Sequence, residues 1–512
     1  MTGRVYLVGA GPGDPGLLTV RGERCLAAAD VVVHDYLVGP RLLAAVRPGA
    51  EIIAVGRSHG ERLSQAEIEE LLVARARAGK VVVRLKNGDP FLLGRGGEEA
   101  DVLRQAGVPF EIVPGVSSAF AAPAYAGIPL THRDHASVVT IATGHQASEA
   151  SPPDLPWEAL ARQRGTLVFL MGMSQLPAIV AALTGHGLAA ATPAAAVQHG
   201  TTGAQRTVVA TLGTLESAVR RAGLGAPGVV VVGSVVELRK RIRWFEDRPL
   251  FGRRIVVTRP REQAGGLADA LDAQGADVVL FPTIAIVDPP DVGAFDRTVQ
   301  AAASYDWIVF TSANGVQRFF ARYAALGLDV RRLASVRLAA IGPETAAELG
   351  RRMLNPAVLP ADYRAEGLLA ALGGEDVRGR RILLPRAAGA RAILADELRA
   401  RGGAVDDVVA YRAVPPADAD VGALRAALDA GTIDAITFTS SSTVRNFVDF
   451  LGASDAAHLS RNGRPLVACI GPVTADTARE LGLAVDVMPS EYTAVALAAA
   501  LVERLSGTGV RG

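Results

Sequence analysis

Cysteine is nearly missing from the chain. Of the 512 residues, only Cys25 and Cys469 are cysteines, and neither has a second cysteine or a histidine at metal-ligand spacing. This scarcity argues against a disulfide framework and a structural metal, and it favours a reducing compartment. We expect both cysteines to be small, buried apolar residues.

An excess of charge of one sign is also missing. The chain has 53 basic and 52 acidic residues spread along its length, which gives a formal net charge of +1. Without a polybasic tail or a global field, we expect neither nucleic acid nor an anionic membrane as a partner. Any anionic ligand must therefore be bound by local groups.

Long apolar runs are absent as well. The run GVVVVGSVV from Gly228 is shorter than the roughly 20 residues that span a bilayer, and it is typical of a buried parallel strand. The chain enters a strand, RVYLVG, at Arg4 with no signal segment before it. We therefore expect a cytoplasmic protein without a membrane partner.

The chain does have regular alternation of strands and helices. In the first half, β-rich runs such as VVVHD, VVVRL and LVFLMG alternate with stretches of helical period. One of these stretches, SQAEIEELLVARARAG, begins with Ser64 and Glu67 in the spacing of a capping box. This pattern predicts α/β layers, and a chain that is 49% apolar over this length is expected to form two to four domains.

The second half contains a long internal repeat. The segment GRRIVVTRP from Gly252 resembles GRRILLPRA from Gly379, and YDWIVFTSANGVQRFF from Tyr305 resembles IDAITFTSSSTVRNFV from Ile433. AAIGPETAAELG from Ala339 likewise pairs with ACIGPVTADTARELG from Ala468. A period this long predicts a duplicated α/β lobe, and two such lobes normally enclose a cleft. We place a linker at 244–252, where the character of the sequence changes.

Four glycine-containing loops of the first half follow apolar runs. They are GAGPGDPG from Gly9, RLKNGDPFLLGRGGEE from Arg84, VPGVSSA from Val113 and GIPLTHRD from Gly127. Open parallel sheets place their ligand sites where strands end in such loops, so these predict an enzyme site. GAGPGDPG departs from the dinucleotide fingerprint because Asp14 occupies the third glycine position. A nicotinamide site and an ordinary turn without ligand remain alternatives.

Taken together with VVVHDYLV, LVFLMGM, QHGTT and VVGSVVELRKRIRWF, these motifs closely resemble the uroporphyrinogen-III C-methyltransferases over about residues 4–245. The resemblance implies a two-lobed, homodimeric methylase that uses S-adenosylmethionine, releases S-adenosylhomocysteine and converts uroporphyrinogen III to precorrin-2. Another methylase of the corrin pathway is an alternative. The cofactor contacts it implies are Pro12, Asn87, Gly88, Asp89, Leu92, Ser117, Ser118, Met171 and Gly200. A core methionine is the alternative for Met171.

The same resemblance implies catalytic residues. Asp35 matches the family's proton acceptor, with a strand-end carboxylate that caps the next turn as the alternative. The family's proton-donor lysine falls on Arg57, which is a poor general acid, so His59 is another candidate. Asn87 replaces a glycine of the family's turn and tolerates positive φ. The residues expected to meet substrate carboxylates, or else to be solvated surface cations, are Arg84, Lys86, Arg95 and Arg133.

The repeated FTS and IGP turns of the second half, with VVTRP from Val256 and VVAYR from Val408, resemble uroporphyrinogen-III synthase. The resemblance implies two α/β lobes joined by the extended segments PTIAIVDPP and VVAYRAVPP. Lobe A would be about 253–285 plus 413–505, and lobe B about 286–412. The reaction it implies closes hydroxymethylbilane into uroporphyrinogen III with loss of water.

Tyr411 matches the tyrosine that this family places in the cleft, where its hydroxyl would help the leaving group depart. A tyrosine that anchors the joining strands is the alternative. Hydroxyls and backbone N–H groups at strand ends suit carboxylates. The residues expected to bind them are Thr311, Ser312, Thr345, Ser440 and Thr474, with Arg259 assisting.

The two resemblances support each other because the product of the second half is the substrate of the first. We therefore expect a methyltransferase-like domain at 1–243, a linker at 244–252 and a synthase-like domain at 253–512. A bifunctional enzyme without a metal is the main hypothesis. The alternative is a methylase whose second half only binds a ligand and regulates the first.

Overall fold

The computed structural model describes residues 3–47, 49–56, 63–144, 154–374, 377–416, 419–452, 455–456, 459 and 465–506. The chain forms two compact units. The first comprises Met1–Phe281 with Asp420–Gly512, and the second is Pro282–Ala419. The predicted methylase region therefore shares one unit with parts of the predicted synthase region.

The first sheet is entirely parallel, with the order β3-β2-β4-β1-β5. Val31 and Val33 enter one apolar cluster and Val32 enters another, so the sheet is buried on both faces. This double burial explains the continuous valine runs of its strands. The strands are β1 (Arg4–Gly9), β2 (Val31–Asp35), β3 (Glu51–Val55), β4 (Val81–Lys86) and β5 (Phe110–Val113). The helices are α1 (Val20–Ala28), α2 (Pro40–Leu43), α3 (Gln65–Arg77) and α4 (Gly96–Gln105).

The capping box predicted at Ser64 is confirmed. The Ser64 hydroxyl accepts from Glu67 N–H, and the Glu67 carboxylate accepts from Ser64 N–H, at the start of α3. Each side chain satisfies a backbone donor that the first helical turn leaves unpaired.

The second sheet is mixed, with the order β6-β7-β10-β8-β9. Only β6 and β7 are parallel. The prediction that the run from Gly228 is a buried parallel strand is half wrong, because β10 is buried but antiparallel to both neighbours. Burial on two faces makes a strand apolar whatever its direction. The strands are β6 (Val139–Thr143), β7 (Thr166–Leu170), β8 (Pro193–Gln198), β9 (Arg206–Thr211) and β10 (Gly228–Val232). The helices are α5 (Ser118–Tyr125), α6 (Trp157–Arg162), α7 (Leu176–Gly185), α8 (Leu212–Arg221) and α9 (Arg239–Ile242).

Two further sheets belong to the second half of the chain. The sheet in the first unit has the order β12-β11-β18-β19, and the sheet in the second unit has the order β13-β17-β16-β14-β15. Their strands are β11 (Arg254–Val257), β12 (Asp277–Leu280), β13 (Ala285–Val287), β14 (Trp307–Phe310), β15 (Arg337–Ala340), β16 (Arg381–Ala387), β17 (Ala404–Val414), β18 (Ala435–Phe438) and β19 (Leu466–Cys469).

The helices of this half are α10 (Arg261–Asp272), α11 (Val292–Gln300), α12 (Ala313–Ala325), α13 (Pro343–Gly350), α14 (Ala365–Ala371), α15 (Ile393–Ala400), α16 (Val421–Asp429), α17 (Ser441–Leu451), α18 (Pro472–Glu480) and α19 (Ala494–Ser506). Among the described residues, none of the helices is both long and apolar enough to cross a bilayer.

The internal repeat is confirmed in three dimensions. The strands that match in sequence occupy the same positions, so that β12-β11-β18-β19 corresponds to β17-β16-β14-β15. The isolated bridges between Ala339 and Val358 and between Ala468 and Val487 also correspond. Leaving β13 aside, each sheet takes two strands from each copy of the repeat. This follows because the chain passes from one unit to the other at 281/282 and returns at 419/420. The predicted α/β class with a duplicated second half is therefore correct.

The two segments predicted to join the lobes pair with each other. β13 runs antiparallel to β17, with Ala285 opposite Val414 and Val287 opposite Arg412. Both cysteines are buried, as expected. The exact ends of the predicted domains remain predictions.

Candidate active sites

Three loops of the first half meet at the carboxyl ends of β1, β4 and β5. Gly11 N–H donates to Gly88 O over 3.2 Å, and Gly88 N–H donates to Gly11 O over 2.8 Å. A Cβ on Gly115 would lie 2.3 Å from Gly88 O and 2.6 Å from Gly9 Cα. Because any side chain would separate these backbones, the glycines are needed to bring the loops together.

Asp89 braces two of these loops. Its Oδ1 accepts from Phe91 N–H over 2.8 Å, and its Oδ2 accepts from Gly115 N–H over 3.0 Å. In the NGD turn the positive φ falls on Gly88, at +67°, and not on Asn87. The tolerance of Asn87 for positive φ is therefore not what preserves this turn. Instead Asn87 N–H donates to Asp35 Oδ2 over 3.1 Å.

The GPGDPG loop is tied to the second sheet's domain through Asp14. Asp14 N–H donates to Thr201 Oγ1 over 3.1 Å, and Asp14 Oδ2 accepts from the Tyr125 hydroxyl over 2.6 Å. Asp14 Oδ1 caps a short 3₁₀ helix, Pro15–Leu17, by accepting from Gly16 N–H. Since α1 begins only at Val20, the loop does not feed directly into a helix, as a dinucleotide fingerprint would require.

Most of the other predicted cofactor residues lie near these loops. A Cβ on Gly88 would be 3.7 Å from Ser117 Cα and from Ser118 N, and Ser117 caps α5 by accepting from Ala119 N–H. A Cβ on Gly200 would be 2.4 Å from Ala122 Cβ of the same helix. The structure thus brings Pro12's loop, Asn87–Asp89, Ser117, Ser118 and Gly200 together.

Leu92 and Met171 are connected to this group less directly. Leu92 packs against the apolar cluster that contains Ala119, Ala122 and Leu170, the residue before Met171. The Met171 side chain is 47% exposed and its φ is +55°. The alternative of a core methionine is therefore wrong, although no contact places this side chain on the loop cluster.

Asp35 lies in a buried network of two acids and two bases, which we call the Arg84 network: Asp35, Arg84, Lys86 and Glu99. Arg84 pairs with Asp35 Oδ1 and, over 3.1 Å, with Glu99 Oε1. Lys86 Nζ lies 2.9 Å from the same Glu99 oxygen. Burial and the adjacent Arg84 charge lower the pKa of Lys86. Glu99 is fully buried, whereas Asp35 keeps 27% of its side chain exposed.

The positions of Arg84 and Lys86 differ from the expectation of substrate contacts and also from that of solvated surface cations. Both side chains are less than 5% exposed. They lie two residues apart on β4, so they point to the same face of the sheet, where α4 presents Glu99. Arg95 instead forms an exposed pair with Glu98, and Arg133 is exposed. Glu99 is the last residue of the motif RLKNGDPFLLGRGGEE, but the sequence does not identify it as the partner of Arg84 and Lys86.

The alternative for Asp35, a strand-end carboxylate that caps a turn, is partly correct, because Asp35 accepts a hydrogen bond from Asn87 N–H. The turn it holds is that of the neighbouring strand β4, not its own next turn. The predicted positions Arg57 and His59 lie outside the described residues. Within the described ranges, no group of three or more His, Cys, Asp or Glu residues is arranged to hold a metal ion.

In the second unit, Tyr411 and Ser312 are in contact. Their hydroxyl oxygens are 3.0 Å apart, and Ser312 Oγ also accepts from Gly315 N–H at the start of α12. Tyr411 is only 6% exposed and belongs to the apolar core of this unit. Thr345 is buried in the first turn of α13, and Thr311 precedes Ser312. The structure therefore joins Tyr411 to one predicted hydroxyl and places two more at nearby strand ends.

The equivalent turns of the repeat lie in the first unit. Ser440 caps α17 by accepting from Thr443 N–H over 3.3 Å, as Ser312 caps α12. Thr474 is buried in the first turn of α18, as Thr345 is in α13. Arg259 follows β11 and is partly exposed. Each lobe thus carries capped helix starts, and the positive end of the helix dipole there favours carboxylates.

Two family models match the chain. "Tetrapyrrole (Corrin/Porphyrin) Methylases" covers residues 4–216, and "Uroporphyrinogen-III synthase HemD" covers residues 266–499. The chain is 38% identical over 482 residues to the "Porphyrin biosynthesis protein HemD" of Ruminiclostridium josui, covering 94% of each chain. It is 40% identical over 351 residues to the "Uroporphyrinogen-III C-methyltransferase" of Bacillus subtilis, covering 68% of this chain and 72% of the relative.

Other similarities cover one half at a time. The "Siroheme synthase" of Stutzerimonas stutzeri is 50% identical over 252 residues, and the chain spans 54% of its length. The crystal structure of uroporphyrin-III-C-methyltransferase from Thermus thermophilus is 40% identical, covers 48% of this chain and 98% of its own, and has a TM-score of 0.41. A uroporphyrinogen III synthase from the same organism is 24% identical, covers 50% of this chain and all of its own, and has a TM-score of 0.39.

The two α/β halves and their loop sites define a bifunctional protein of tetrapyrrole biosynthesis. The chain belongs to the family in which an S-adenosylmethionine-dependent tetrapyrrole methylase is fused to a uroporphyrinogen-III synthase.

Proposed function

We propose that the second half of the chain closes hydroxymethylbilane into uroporphyrinogen III, and that the first half methylates this product twice to give precorrin-2. The observation that carries the proposal is the 38% identity to a porphyrin biosynthesis protein along 94% of both chains. That match includes both halves in the same order. The consecutive reactions add support, since the first product is the second substrate.

The loop cluster fits a small polar cofactor. Close glycine contacts at Gly9, Gly88 and Gly115 leave backbone surfaces without side chains, and Ser117 and Ser118 open the neighbouring α5. S-adenosylmethionine supplies an activated methyl group when bound there. We propose that its contacts are the nine residues named above, Pro12 to Gly200. We propose that the chain carries out both reactions without a metal.

The protein's own task in methylation is to align the substrate and remove a proton. A pyrrole carbon is already electron-rich, so alignment behind the methyl group contributes much of the acceleration. After the methyl group is attached, the ring loses a proton, and we propose that Asp35 accepts it. Arg84 and the Asn87 N–H hold both oxygens of Asp35 in place. Arg95 and Arg133 would bind substrate carboxylates.

We assign Arg84 and Lys86 a supporting role, because both are buried against Glu99 and Asp35. A role for Arg57, or for His59 in its place, remains as proposed from the sequence. We also propose a homodimer through the methylase domain and a cytoplasmic location. Sedimentation of the purified chain would test the oligomeric state.

For ring closure, much of the acceleration would come from holding the flexible bilane in a productive fold. We propose that Tyr411 assists departure of the hydroxyl, and that Ser312 orients the tyrosine hydroxyl over their 3.0 Å contact. Thr311, Thr345, Ser440 and Thr474 would bind carboxylates, with Arg259 assisting. The resemblance supplies these roles, and the contacts within each lobe support them.

The first prediction concerns the product. Purified full-length chain given hydroxymethylbilane and S-adenosylmethionine should yield a macrocycle in which two methyl groups have replaced two protons of uroporphyrinogen III. Mass spectrometry under anaerobic conditions should therefore show a gain of two CH2 units. Omitting S-adenosylmethionine should leave uroporphyrinogen III. Recovery of only the unrearranged type-I macrocycle would contradict the proposed synthase activity. Failure to methylate added uroporphyrinogen III would contradict the proposed methylase activity. The first of these results would favour a second half that only binds a ligand.

The second prediction concerns Tyr411. Tyr411→Phe removes the proposed donor to the leaving hydroxyl and should slow ring closure by about 100-fold. Tyr305→Phe is the matched control, since Tyr305 is equally buried in the same unit but donates to Asp406. Ring closure is measured from the ratio of type-III to type-I macrocycle. Equal losses in both variants would mean that Tyr411 only supports the fold.

A further inference from the structure

The synthase lobe that contains β11, β12, β18 and β19 packs against the methylase domain next to the GPGDPG loop. At the centre of this contact, a Cβ on Gly203 would lie 2.2 Å from both Ala276 C and Asp277 N. The two backbones therefore touch where α10 passes into β12. We call the contact made by Arg41, Gly203, Asp272 and Ala276 the interdomain joint.

Charges on both sides of the joint are paired. Arg41, just after the start of α2, contacts Asp269 over 2.6 Å and Asp272 over 3.3 Å, both on α10. The Arg41 side chain is 17% exposed. Burial raises the pKa of Asp272, and the nearby Asp14 carboxylate raises it further. Asp14 of the GPGDPG loop is thus within electrostatic reach of the synthase lobe.

A cavity of about 130 Å³ lies between the same elements. Its walls include Gly13 and Asp14 of the loop, Arg41 and Thr202 of the methylase domain, and Asp272 and Asp277 of the synthase lobe. The loop therefore has the synthase lobe on one side. α10 and β12 therefore form one wall of the space beside the loop.

A chain of hydrogen bonds connects the loop to the linker that follows α9. Asp14 N–H donates to Thr201 Oγ1, and Thr201 N–H donates to Gln205 Oε1 over 2.9 Å. Gln205 Nε2 then donates to Glu246 Oε1 over 2.9 Å. Glu246 is further held by Arg239. The predicted linker is thus bonded to the loop through fixed side chains.

The linker also stacks on the residue that holds Asp14. The Tyr125 ring, whose hydroxyl donates to Asp14, lies 5.1 Å from the ring of Trp244 and 4.8 Å from that of Phe245. Arg248 covers both of these rings, and Arg248 Cβ would be 2.8 Å from a Cβ on Gly275, next to the joint. The aromatic contacts therefore run from the joint to Asp14, while the polar chain connects Asp14 to the linker through Thr201 and Gln205, which lie on either side of Gly203 in the sequence.

We propose that the interdomain joint holds the GPGDPG loop in its cofactor-binding form, so that the fused synthase lobe strengthens cofactor binding by the methylase. The coupling rests on the proposed function, since it assumes that the loop binds S-adenosylmethionine. Coupled sites typically share a free energy that changes affinity by about 5- to 150-fold. Opening the joint should therefore weaken cofactor binding although no residue proposed to contact the cofactor is substituted.

The test is Gly203→Ala in the full-length chain. Gly203 has no positive φ, so alanine suits its own backbone, but the new Cβ would clash with Ala276 and force the joint apart. The dissociation constant for S-adenosylhomocysteine, measured by calorimetry, should rise by about 5-fold or more. Gly185→Ala, at the end of α7 with open space around it, is the matched control and should bind like the wild type.

A second pair of variants addresses the same joint without a steric clash. Arg41→Ala and Asp272→Ala should each weaken binding of S-adenosylhomocysteine, and the double variant should lose less than the product of the two. Unchanged affinity in Gly203→Ala and in both charge variants would overturn the proposal. If the wild-type chain itself fails to bind S-adenosylhomocysteine, the proposed function fails instead, so the two failures are distinct.

Discussion

Replacing Asp35 by asparagine is expected to lower the rate of methylation of uroporphyrinogen III by about 100- to 10,000-fold, the usual effect of removing a general base. An amide cannot accept the ring proton at neutral pH. It keeps the size of the carboxylate and one oxygen that can still accept from Asn87 N–H. Binding of S-adenosylhomocysteine should therefore persist, because the loops stay joined by their own backbone hydrogen bonds.

Asp30→Asn is the matched control for this experiment. Asp30 precedes the same strand, is exposed to the same degree as Asp35, and likewise accepts from an arginine and from a backbone N–H, that of Val81. It lies at the opposite end of the strand from the loop cluster. A similar loss of methylation in both variants would show that Asp35 acts through the fold. Methylation by Asp35→Asn close to the wild-type rate would exclude it as the base.

The loops of the first candidate site could be predicted from the sequence because they depend on short-range patterns. Apolar runs that end in glycine loops identified the strand ends, and the parallel sheet brought those ends together. What the pattern could not supply was the partner of each charge. Arg84 and Lys86 are expected from the sequence to meet substrate carboxylates, or else to be solvated surface cations, because a charged residue is usually exposed. Their burial depends on Glu99, which comes from a helix whose packing is set by tertiary contacts.

The sequence also did not predict two of the strands, β8 and β9, or the direction of β10. β8, with the sequence PAAAVQ, and β9, with RTVVAT, were not among the predicted strands, since alanine is depleted in strands and a short polar-flanked run gives little periodic signal. β10 was predicted correctly as buried but with the wrong direction. The composition of a strand indicates whether it is buried, whereas its direction depends on the strands with which it pairs.

The repeat illustrates the opposite case. Matching segments predicted a duplicated lobe, and the two sheets do share their strand order. Asp306 pairs with Arg380 and Arg381 in one lobe, and Asp434 pairs with Arg253 and Arg254 in the other. In each lobe the aspartate comes from one copy of the repeat and the two arginines come from the other. Such equivalences are visible in the sequence because equivalent residues of the two copies pack in the same way. The docking of the lobe that contains β11 and β12 against the methylase domain depends on tertiary contacts such as that of Gly203 with Ala276, so the repeat pattern does not predict it.

The largest stability effect is expected at Glu99. Glu99→Ala leaves Arg84 and Lys86 buried with Asp35 as their only described acidic partner. Removing one partner of a buried ion network typically costs about 3–5 kcal/mol, because the remaining charge is neither solvated nor paired. The cost should fall on the first sheet, where β4 carries both cations. Hydrogen exchange of the amides of β1, β2 and β4, followed by mass spectrometry, measures the free energy of local opening.

Glu98→Ala is the control from the same helical turn. Glu98 forms an exposed pair with Arg95, and exposed pairs contribute about 0–1 kcal/mol, so its amides should exchange nearly as in the wild type. Glu99 Oε2 has no hydrogen-bond partner within the described ranges, so Glu99→Gln, which keeps one oxygen facing Arg84 and Lys86, should fall between the two. If Glu99→Ala exchanged no faster than Glu98→Ala, the two cations would have to be solvated, and the assignment of Arg84 as the group that holds Asp35 in place would be wrong.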